Sequence, residues 1–300
     1  MPIPQHGENY VLGVDIGGTR FRVGLVDKDG NLLKHSALAT SSINSASGAL
    51  RELAAQVDPD HRAKIVVAGV PGVVDYLESK VIFAPNIPQT FIAELTGQSV
   101  SKVLERKALI VNDADLAGVG EAYFGAGTSA ASLAYVTIST GVGAAVVINK
   151  KLLRTRHSLA ELGHSFIHAG HANADGQGSV EFEASGTALA RLARESGVKV
   201  SNEELVKAAE SGDAQARRLV EQLARNAGAA LANMVHLFSI EALILGGGVI
   251  LSGDFMFNLI VANFNDLKPR YLDVVVRRAA LGDDVALIGA AGAFSALDIS

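Results

Sequence analysis

The segment YVLGVDIGGTRFRVGLVDKDGNLL, residues 10–33, predicts three successive strands joined by short turns. A buried-strand pattern ends at a glycine pair, a second apolar segment follows, and Asp29-Gly30 predicts a tight turn into a third strand. The same plan returns in LAYVTISTGVGAAVVINKKLLR, residues 133–154, although the residues largely differ. This repetition predicts two related α/β domains, each beginning with three antiparallel strands.

Outside the two repeats, strand and helix patterns alternate. One helix is predicted over Ala46–Val57, another over the whole of FIAELTGQSVSKVLE (91–105), and a strand turns directly into a helix at Asn112-Asp113. From Glu181 onward the chain is mostly helical, with a helix over EASGTALARLARES (183–196). We expect an N-terminal domain of residues 1–112 and a larger C-terminal domain of 113–284. The closing helix, 285–300, is expected to pack back on the first domain.

The composition excludes several classes of protein. A hydrophobic fraction of 49% with 19% charged residues is typical of a well-packed globular chain. The net charge of −5 argues against a dedicated nucleic-acid binder. The absence of cysteine excludes disulfides and thiolate metal sites. The start, MPIPQHGENY, lacks the basic and apolar regions of a signal peptide, and the chain has no apolar run of membrane-spanning length. We expect a cytoplasmic protein with no membrane partner.

Three glycine-rich segments follow predicted strands. They are DIGGT (15–19), STGVG (139–143) and LGGGV (245–249). Glycines let a backbone approach a phosphate closely, and successive N–H groups in such a turn can bind an anion. Each segment alone is a weak indication, and an ordinary turn is then the simpler interpretation. Their recurrence at strand ends in a duplicated chain favours polyphosphate binding.

Two groups of polar residues could supply further chemistry. Asp113, at the end of a strand, could take a proton from a substrate hydroxyl. Asn and Asp also favour helix N-caps, and for the isolated dipeptide capping is the simpler interpretation. Glu161, His164 and Glu181 suit a ligand with several hydroxyl groups. The alternative is a solvated loop with scattered histidines, which is the simpler interpretation of His168 and His171.

Together these segments resemble the ROK family, which comprises sugar kinases and related repressors. The resemblance extends over nearly the whole chain, in the family's order. Its motifs are GVDIGGT (13–19), GVPGVVD (69–75), APN (84–86), VNDADLAG (111–118), GEAYFGAG (120–127), ISTGVGAAVVINKKL (138–152), ELGH (161–164), EFEASGTAL (181–189), LILGGGV (243–249) and LIGAAGA (287–293).

The resemblance implies an α/β fold of the two-domain actin-like, hexokinase type (ribonuclease H-like), with duplicated mixed sheets and a central cleft for ATP and sugar. It implies an ATP-dependent kinase acting on a hexose hydroxyl, most simply O6 of glucose or a related hexose, with Mg²⁺ as cofactor and a homodimer as assembly. Asp113 matches the catalytic base. Sugar-binding positions match Gly72, Asn86, Asn112, Glu161, His164 and Glu181. ATP-binding positions match Asp15, Gly17, Gly18, Thr19, Thr140, Gly141, Gly143, Gly246, Gly247 and Gly248.

The chain departs from the family pattern in three places. Many members bind a structural zinc through cysteines after the GH motif, but Ser179 stands where the last of these would fall. We therefore expect no zinc and no other protein-bound metal site. Ala160 replaces a usual glycine, which leaves the choice of sugar open. Asp115 replaces a usual asparagine, as in some members that use inorganic polyphosphate, which leaves the phosphate donor open.

Two other functions stay open at this stage. A repressor of the family carries a helix-turn-helix segment before its first glycine motif, whereas here that motif begins at residue 13, so a DNA-binding role is not expected. A sugar sensor that binds without turnover is supported only by the altered loop near residues 165–180.

Overall fold

The computed structural model describes residues 9–159 and 161–297, which form two compact units. The first unit comprises 9–131, 145–159 and 280–297, and the second comprises 132–144 and 161–279. Ala160 and the last three residues of the expected closing helix lie outside the described residues.

The strands, in chain order, are β1 (Tyr10–Ile16), β2 (Arg20–Asp27), β3 (Leu32–Ala39), β4 (Ile65–Val70), β5 (Val73–Asp75), β6 (Lys80–Phe83), β7 (Lys107–Asn112), β8 (Ser132–Ile138), β9 (Val142–Ile148), β10 (Lys151–Leu152), β11 (Ala242–Gly246) and β12 (Val275–Arg278). The helices are α1 (Ala46–Val57), α2 (Gln89–Ile92), α3 (Gly97–Leu104), α4 (Asp113–Phe124), α5 (Val180–Ala184), α6 (Gly186–Glu195), α7 (Asn202–Glu210), α8 (Ala214–Phe238), α9 (Gly248–Leu251), α10 (Asp254–Leu267) and α11 (Val285–Leu297).

The two larger sheets have the same strand order, which confirms the predicted duplication. The first runs β3-β2-β1-β4-β7 and the second β10-β9-β8-β11-β12. In the first sheet, β1 and β2 pair antiparallel, whereas β1 pairs parallel to β4 and β4 parallel to β7. The carboxyl ends of parallel strands meet at one edge. The residues after β1, β4 and β7 therefore share an edge of the first sheet.

A continuous apolar core fills the space between the first sheet and α1. One face of α1 is buried, including Leu50 and Leu53, and the central strand β1 contributes Leu12 and Val14. The last helix, α11, packs on α4 and β1. Backbones approach closely there, because a Cβ at Gly289 would lie 2.9 Å from the carbonyl carbon of Leu116.

Two predicted helices are interrupted by capping residues. The prediction of one helix over 91–105 is wrong, since α2 ends at Ile92 and α3 starts after Thr96. The extended Thr96 caps α3 by accepting a hydrogen bond from Ser99 N (3.0 Å). Similarly, Ser185 separates α5 from α6 and accepts from Ala188 N (3.0 Å). Side-chain capping outweighs the apolar periodicity at both positions.

The domain limit expected at residue 112 differs from the division into units. Helix α4 stays with the first unit because its apolar face packs on α11, and the chain next enters the second unit at Ser132. Among the described residues, no helix has both the length and the apolar character needed to cross a membrane.

A buried ion pair ties the end of α1 to the start of β7. Arg106 Nη1 lies 3.0 Å from Asp58 Oδ2, with the two side chains 3% and 0% exposed. Asp58 also accepts hydrogen bonds from the backbone N–H groups of Arg62 and Ala63, both at 3.0 Å.

Removal of this guanidinium should strongly destabilise the first unit. Arg106→Met removes the buried counter-charge of the Asp58 carboxylate and leaves only the more exposed Arg62 nearby, so we expect the free energy of unfolding to fall by about 3–5 kcal/mol. Urea denaturation measures this change in the free energy of unfolding. The control is Arg62→Met, because Arg62 lies 3.7 Å from the same carboxylate but is 43% exposed, and its loss should cost about 1 kcal/mol or less. Equal losses in the two variants would contradict the prediction.

Candidate active site

The first glycine turn joins β1 to β2 and leaves its backbone accessible. Gly17 N donates to Arg20 O (2.8 Å), and Thr40 donates to the carbonyls of both Thr19 (2.9 Å) and Gly17 (2.7 Å). Gly18 and Thr19 are exposed. A Cβ at Gly18 would lie 2.6 Å from the carbonyl oxygen of Asn86, so the turn and the APN segment lie against each other. Gly18 and Thr19 therefore lie at the surface of the turn, where a ligand can reach them.

Asp15, just before this turn, is paired with Arg22 on β2. The Arg22 guanidinium contacts Asp15 Oδ2 at 2.5 and 3.0 Å and Asp284 Oδ1 at 3.2 Å. Burial raises the pKa of the Asp15 carboxyl above its usual range, while the Arg22 charge opposes that shift. The sequence did not single out Arg22, because nothing in the pattern of a strand residue shows which carboxylate it faces.

Asp113 follows β7 as the first residue of α4 and is half-buried. The helix cap is Asn112 instead, since its Oδ1 accepts from Asp115 N (3.0 Å). The capping interpretation therefore holds for Asn112, and Asp113 occupies the first turn of the helix. Asp113 Oδ1 accepts from Ala114 N (2.8 Å). Asp113 thus lies in the first turn of α4, where the helix dipole interacts favourably with acidic side chains.

The Asn112 amide is largely occupied by protein contacts. Besides capping α4, its Nδ2 donates to Gly72 O (2.8 Å). Gly72 has a φ of +96°, a conformation that favours glycine. The structure thus brings Asn112, Asp113 and Gly72 together, as the motifs predicted. Only one amide hydrogen of Asn112 is left over for a ligand.

In the second unit, Glu181 contacts the second glycine turn. It lies in the first turn of α5, and its Oε2 accepts from Val142 N (2.9 Å) beside Gly141. A Cβ at Gly163 would lie 3.5 Å from Glu181 Cβ, so the ELGH segment packs closely on α5. Gly163 was missed as a site residue, although its place inside the motif was a usable indication.

Glu161 and His164 flank that same segment. His164 Nε2 lies 4.0 Å from Glu161 Oε2, and the side chains are 63% and 38% exposed. Both are accessible to a hydroxyl-bearing ligand. Glu161 and His164 thus lie at the two ends of a segment that packs on the helix carrying Glu181.

The remaining predicted ATP-binding glycines lie at the edge where the parallel strands β8 and β11 end. Thr140 is exposed and Gly141 half-buried in the turn, whereas Gly143 lies within β9. Gly246 ends β11, with Tyr135 against the position of a Cβ. Gly247 has a φ of +87° and lies against the backbone of Ile138.

The adjacent glycines 247 and 248 should respond differently to a methyl group. At Gly247, an added Cβ would lie 2.7 Å from Ile138 N and the residue would keep a positive φ, whereas at Gly248 the Cβ meets nothing within 4 Å. We expect Gly247→Ala to lower the free energy of unfolding by about 1–3 kcal/mol and Gly248→Ala to change it by less than about 0.5 kcal/mol. Urea titration measures the free energy of unfolding of both variants. Equal losses would contradict the difference in backbone surroundings between Gly247 and Gly248.

The histidines of the loop do not form a cluster with other metal-binding side chains. His168 Nε2 lies 3.2 Å from Asn226 Oδ1. Over residues 9–159 and 161–297, no group of three or more His, Asp or Glu side chains could hold a metal ion. The expectation of a zinc-free protein stays a prediction, and elemental analysis tests it.

Known proteins resemble this chain over nearly its full length. The model of the ROK family matches residues 11–296. A glucokinase of Thermotoga maritima is 32% identical over 94% of this chain and 96% of its own. The crystal structure of a ROK hexokinase from Thermus thermophilus has a TM-score of 0.84 at 30% identity, covering 94% of this chain and 96% of its own.

A ROK family glucokinase from Streptomyces griseus, solved in complex with glucose and AMPPNP, has a TM-score of 0.80 at 32% identity, with coverage of 94% and 98%. The family resemblance and the fold class predicted from the sequence are thereby confirmed. The chain belongs to the ROK family, as one of its kinases.

Proposed function

We propose that this protein transfers the γ-phosphoryl group of ATP to a hydroxyl of a hexose, most simply O6 of glucose. The observation that carries the proposal is the position of Asp113 at the start of α4, where Asn112 already provides the cap. The resemblance to a glucokinase from Thermotoga maritima and to one bound to glucose and AMPPNP supports the choice of substrates.

Asp113 accepts the proton of the attacking hydroxyl in this reaction. A positioned base contributes about 10²–10⁴ to the rate. Phosphoryl transfer otherwise depends on in-line positioning and charge neutralisation more than on covalent help. The carboxylate of Glu181 and the exposed groups of Glu161 and His164 would bind sugar hydroxyls, because carboxylates accept paired O–H donors.

The glycine turns would hold the nucleotide. The exposed backbone of Gly18 and Thr19 is available to phosphate oxygens, as is that of Thr140. The run Gly246–Gly248 is assigned to the adenosine side by the family resemblance. The homodimer and the cytoplasmic location expected from the sequence belong to the same proposal.

The residues of the first unit fit a magnesium-bound nucleotide. Mg²⁺ prefers oxygen ligands, usually one or two carboxylates together with phosphates and water. Arg22 contacts Oδ2 of Asp15, while Asp15 Oδ1 accepts no hydrogen bond from the described residues and can face a hydrated ion. Bound Mg²⁺ neutralises phosphate charge.

A coupled assay tests the proposal. ATP–Mg²⁺ and inorganic polyphosphate are each offered with glucose, mannose, N-acetylglucosamine, N-acetylmannosamine, fructose and allose. Formation of ADP and glucose 6-phosphate supports it. Turnover with polyphosphate but not with ATP would reject ATP as donor, and turnover with another sugar but not with glucose would reject glucose. Sugar binding by calorimetry without any turnover would instead favour a sensor.

A further inference from the structure

Tyr76, directly after β5, connects to the start of α4 through a closed set of hydrogen bonds. Its hydroxyl donates to Asp115 Oδ2 (2.5 Å) and accepts from Asn112 N (3.2 Å). Asp115 N in turn donates to Asn112 Oδ1 (3.0 Å). The three residues thus form a ring around the peptide that leads into Asp113. No sequence pattern indicates this, because Tyr76 lies 36 residues before Asn112.

Asp115 is buried, and Tyr76 makes further contacts outside this ring of hydrogen bonds. Asp115 is 1% exposed. Tyr76 N donates to Arg156 O (2.8 Å), and the Arg154 guanidinium lies over the Tyr76 ring, 5.4 Å from its centroid. A hydrogen bond to a buried charged acceptor is stronger than a neutral one. Burial and the Asp115 charge raise the pKa of Tyr76 well above its usual value, so the phenol keeps its proton.

Three groups of Asn112 are hydrogen-bonded at the strand-to-helix junction. Its N–H is bound to Tyr76, its Oδ1 to Asp115 and its Nδ2 to Gly72. Asp113 is the next residue. The three hydrogen bonds of Asn112 therefore hold the backbone from which the Asp113 carboxylate projects. A misplacement of about 1 Å in a reacting group can cost about 10² in rate.

The geometry points to Tyr76 and Asp115 as positioning residues that act as one hydrogen-bonded unit to aim the Asp113 carboxylate. This inference rests on the proposed function. Since neither residue is assigned to substrate binding, their loss should lower kcat and leave the KM for sugar nearly unchanged.

The test uses the whole protein with glucose and ATP–Mg²⁺. Tyr76→Phe and Asp115→Ala should each lower kcat by about 10- to 100-fold, with the KM for glucose within about threefold of the parent. The double variant should be no worse than either single one, because the two side chains act through one contact. Asp115→Asn keeps an acceptor for the phenol and should recover most of the activity that Asp115→Ala loses.

Tyr123→Phe is the matched control. Tyr123 lies on the same helix, and its hydroxyl donates to Lys150 O (2.9 Å). The Tyr123→Phe variant should be less stable than the parent but should keep its kcat. Exchange of the Asn112 amide hydrogen, measured without substrate, should be at least about fivefold faster in Tyr76→Phe than in Tyr123→Phe.

Suppose that the parent protein is active and Asp113→Asn is not. A normal kcat for Tyr76→Phe, or a loss of kcat in the double variant equal to the product of the two single losses, would then overturn this inference and leave the proposed function standing. A parent that phosphorylates no sugar would reject the proposed function and, with it, the catalytic role of the ring.

Discussion

Asp113→Asn should lower kcat by about 10²- to 10⁴-fold, while the dissociation constant for glucose stays within about threefold. The amide has nearly the same shape and can still accept from Ala114 N, as Asp113 Oδ1 does at 2.8 Å. It cannot take up a proton from the sugar hydroxyl. The loss therefore belongs to the chemical step and not to binding.

Single-turnover kinetics with glucose and ATP, together with calorimetry of glucose binding, separate the two effects. Asp60→Asn is a suitable control because Asp60 is exposed in a turn after α1. A near-native kcat for Asp113→Asn would reject the assignment of the base. A large loss of glucose affinity with unchanged kcat would assign Asp113 to binding.

Glu181→Ala should raise the KM for sugar by about 10- to 150-fold, since a hydrogen bond to a charged group is worth about 1.5–3 kcal/mol. Part of the loss arises from the second glycine turn, because Glu181 Oε2 accepts from Val142 N (2.9 Å). Glu181→Gln keeps an acceptor for that N–H, so it should preserve the turn and raise the KM less.

Glu183→Ala controls for this change. Glu183 lies two residues away on α5 and lines a separate cavity with His168 and His171. Its removal should leave the KM within about threefold. Steady-state assays with varied glucose compare the variants. Equal increases in KM for the two alanine variants would show that loss of α5 integrity, and not a hydroxyl contact, explains the effect.

The sequence was sufficient for those features that depend on local pattern and repetition. The recurrence of strand, glycine turn and strand predicted a duplication, which the two sheets show in their matching strand orders. The apolar run ending at Asn112 predicted the passage from β7 directly into α4. Both follow from periodicities that a few neighbouring residues determine.

Features that depend on distant contacts could not be predicted in this way. Thr and Ser occur both inside helices and at helix N-caps. The residue type of Thr96 and Ser185 therefore does not show which position they take, and the surrounding packing determines it. The limit of the first unit depends on α4 meeting α11, which lies more than 150 residues later. Similarly, the hydrogen bonds of Tyr76 to Asn112 and Asp115 become apparent only when the structure places β5 beside β7.

The candidate site shows a related difference between motif and geometry. The family resemblance assigned Asn112 to the sugar, which stays a prediction, and in the structure its amide also caps α4 and donates to Gly72. A motif records which residue types recur together. It does not distinguish a residue that touches the ligand from one that holds its neighbour in place.

A crystal structure with glucose and a non-hydrolysable ATP analogue tests the central claim most directly. We predict that one carboxylate oxygen of Asp113 lies about 2.6–3.2 Å from the hydroxyl oxygen that faces the terminal phosphate, within reach for proton transfer. A separation beyond about 4 Å, with a different side chain in contact with that hydroxyl, would contradict the account.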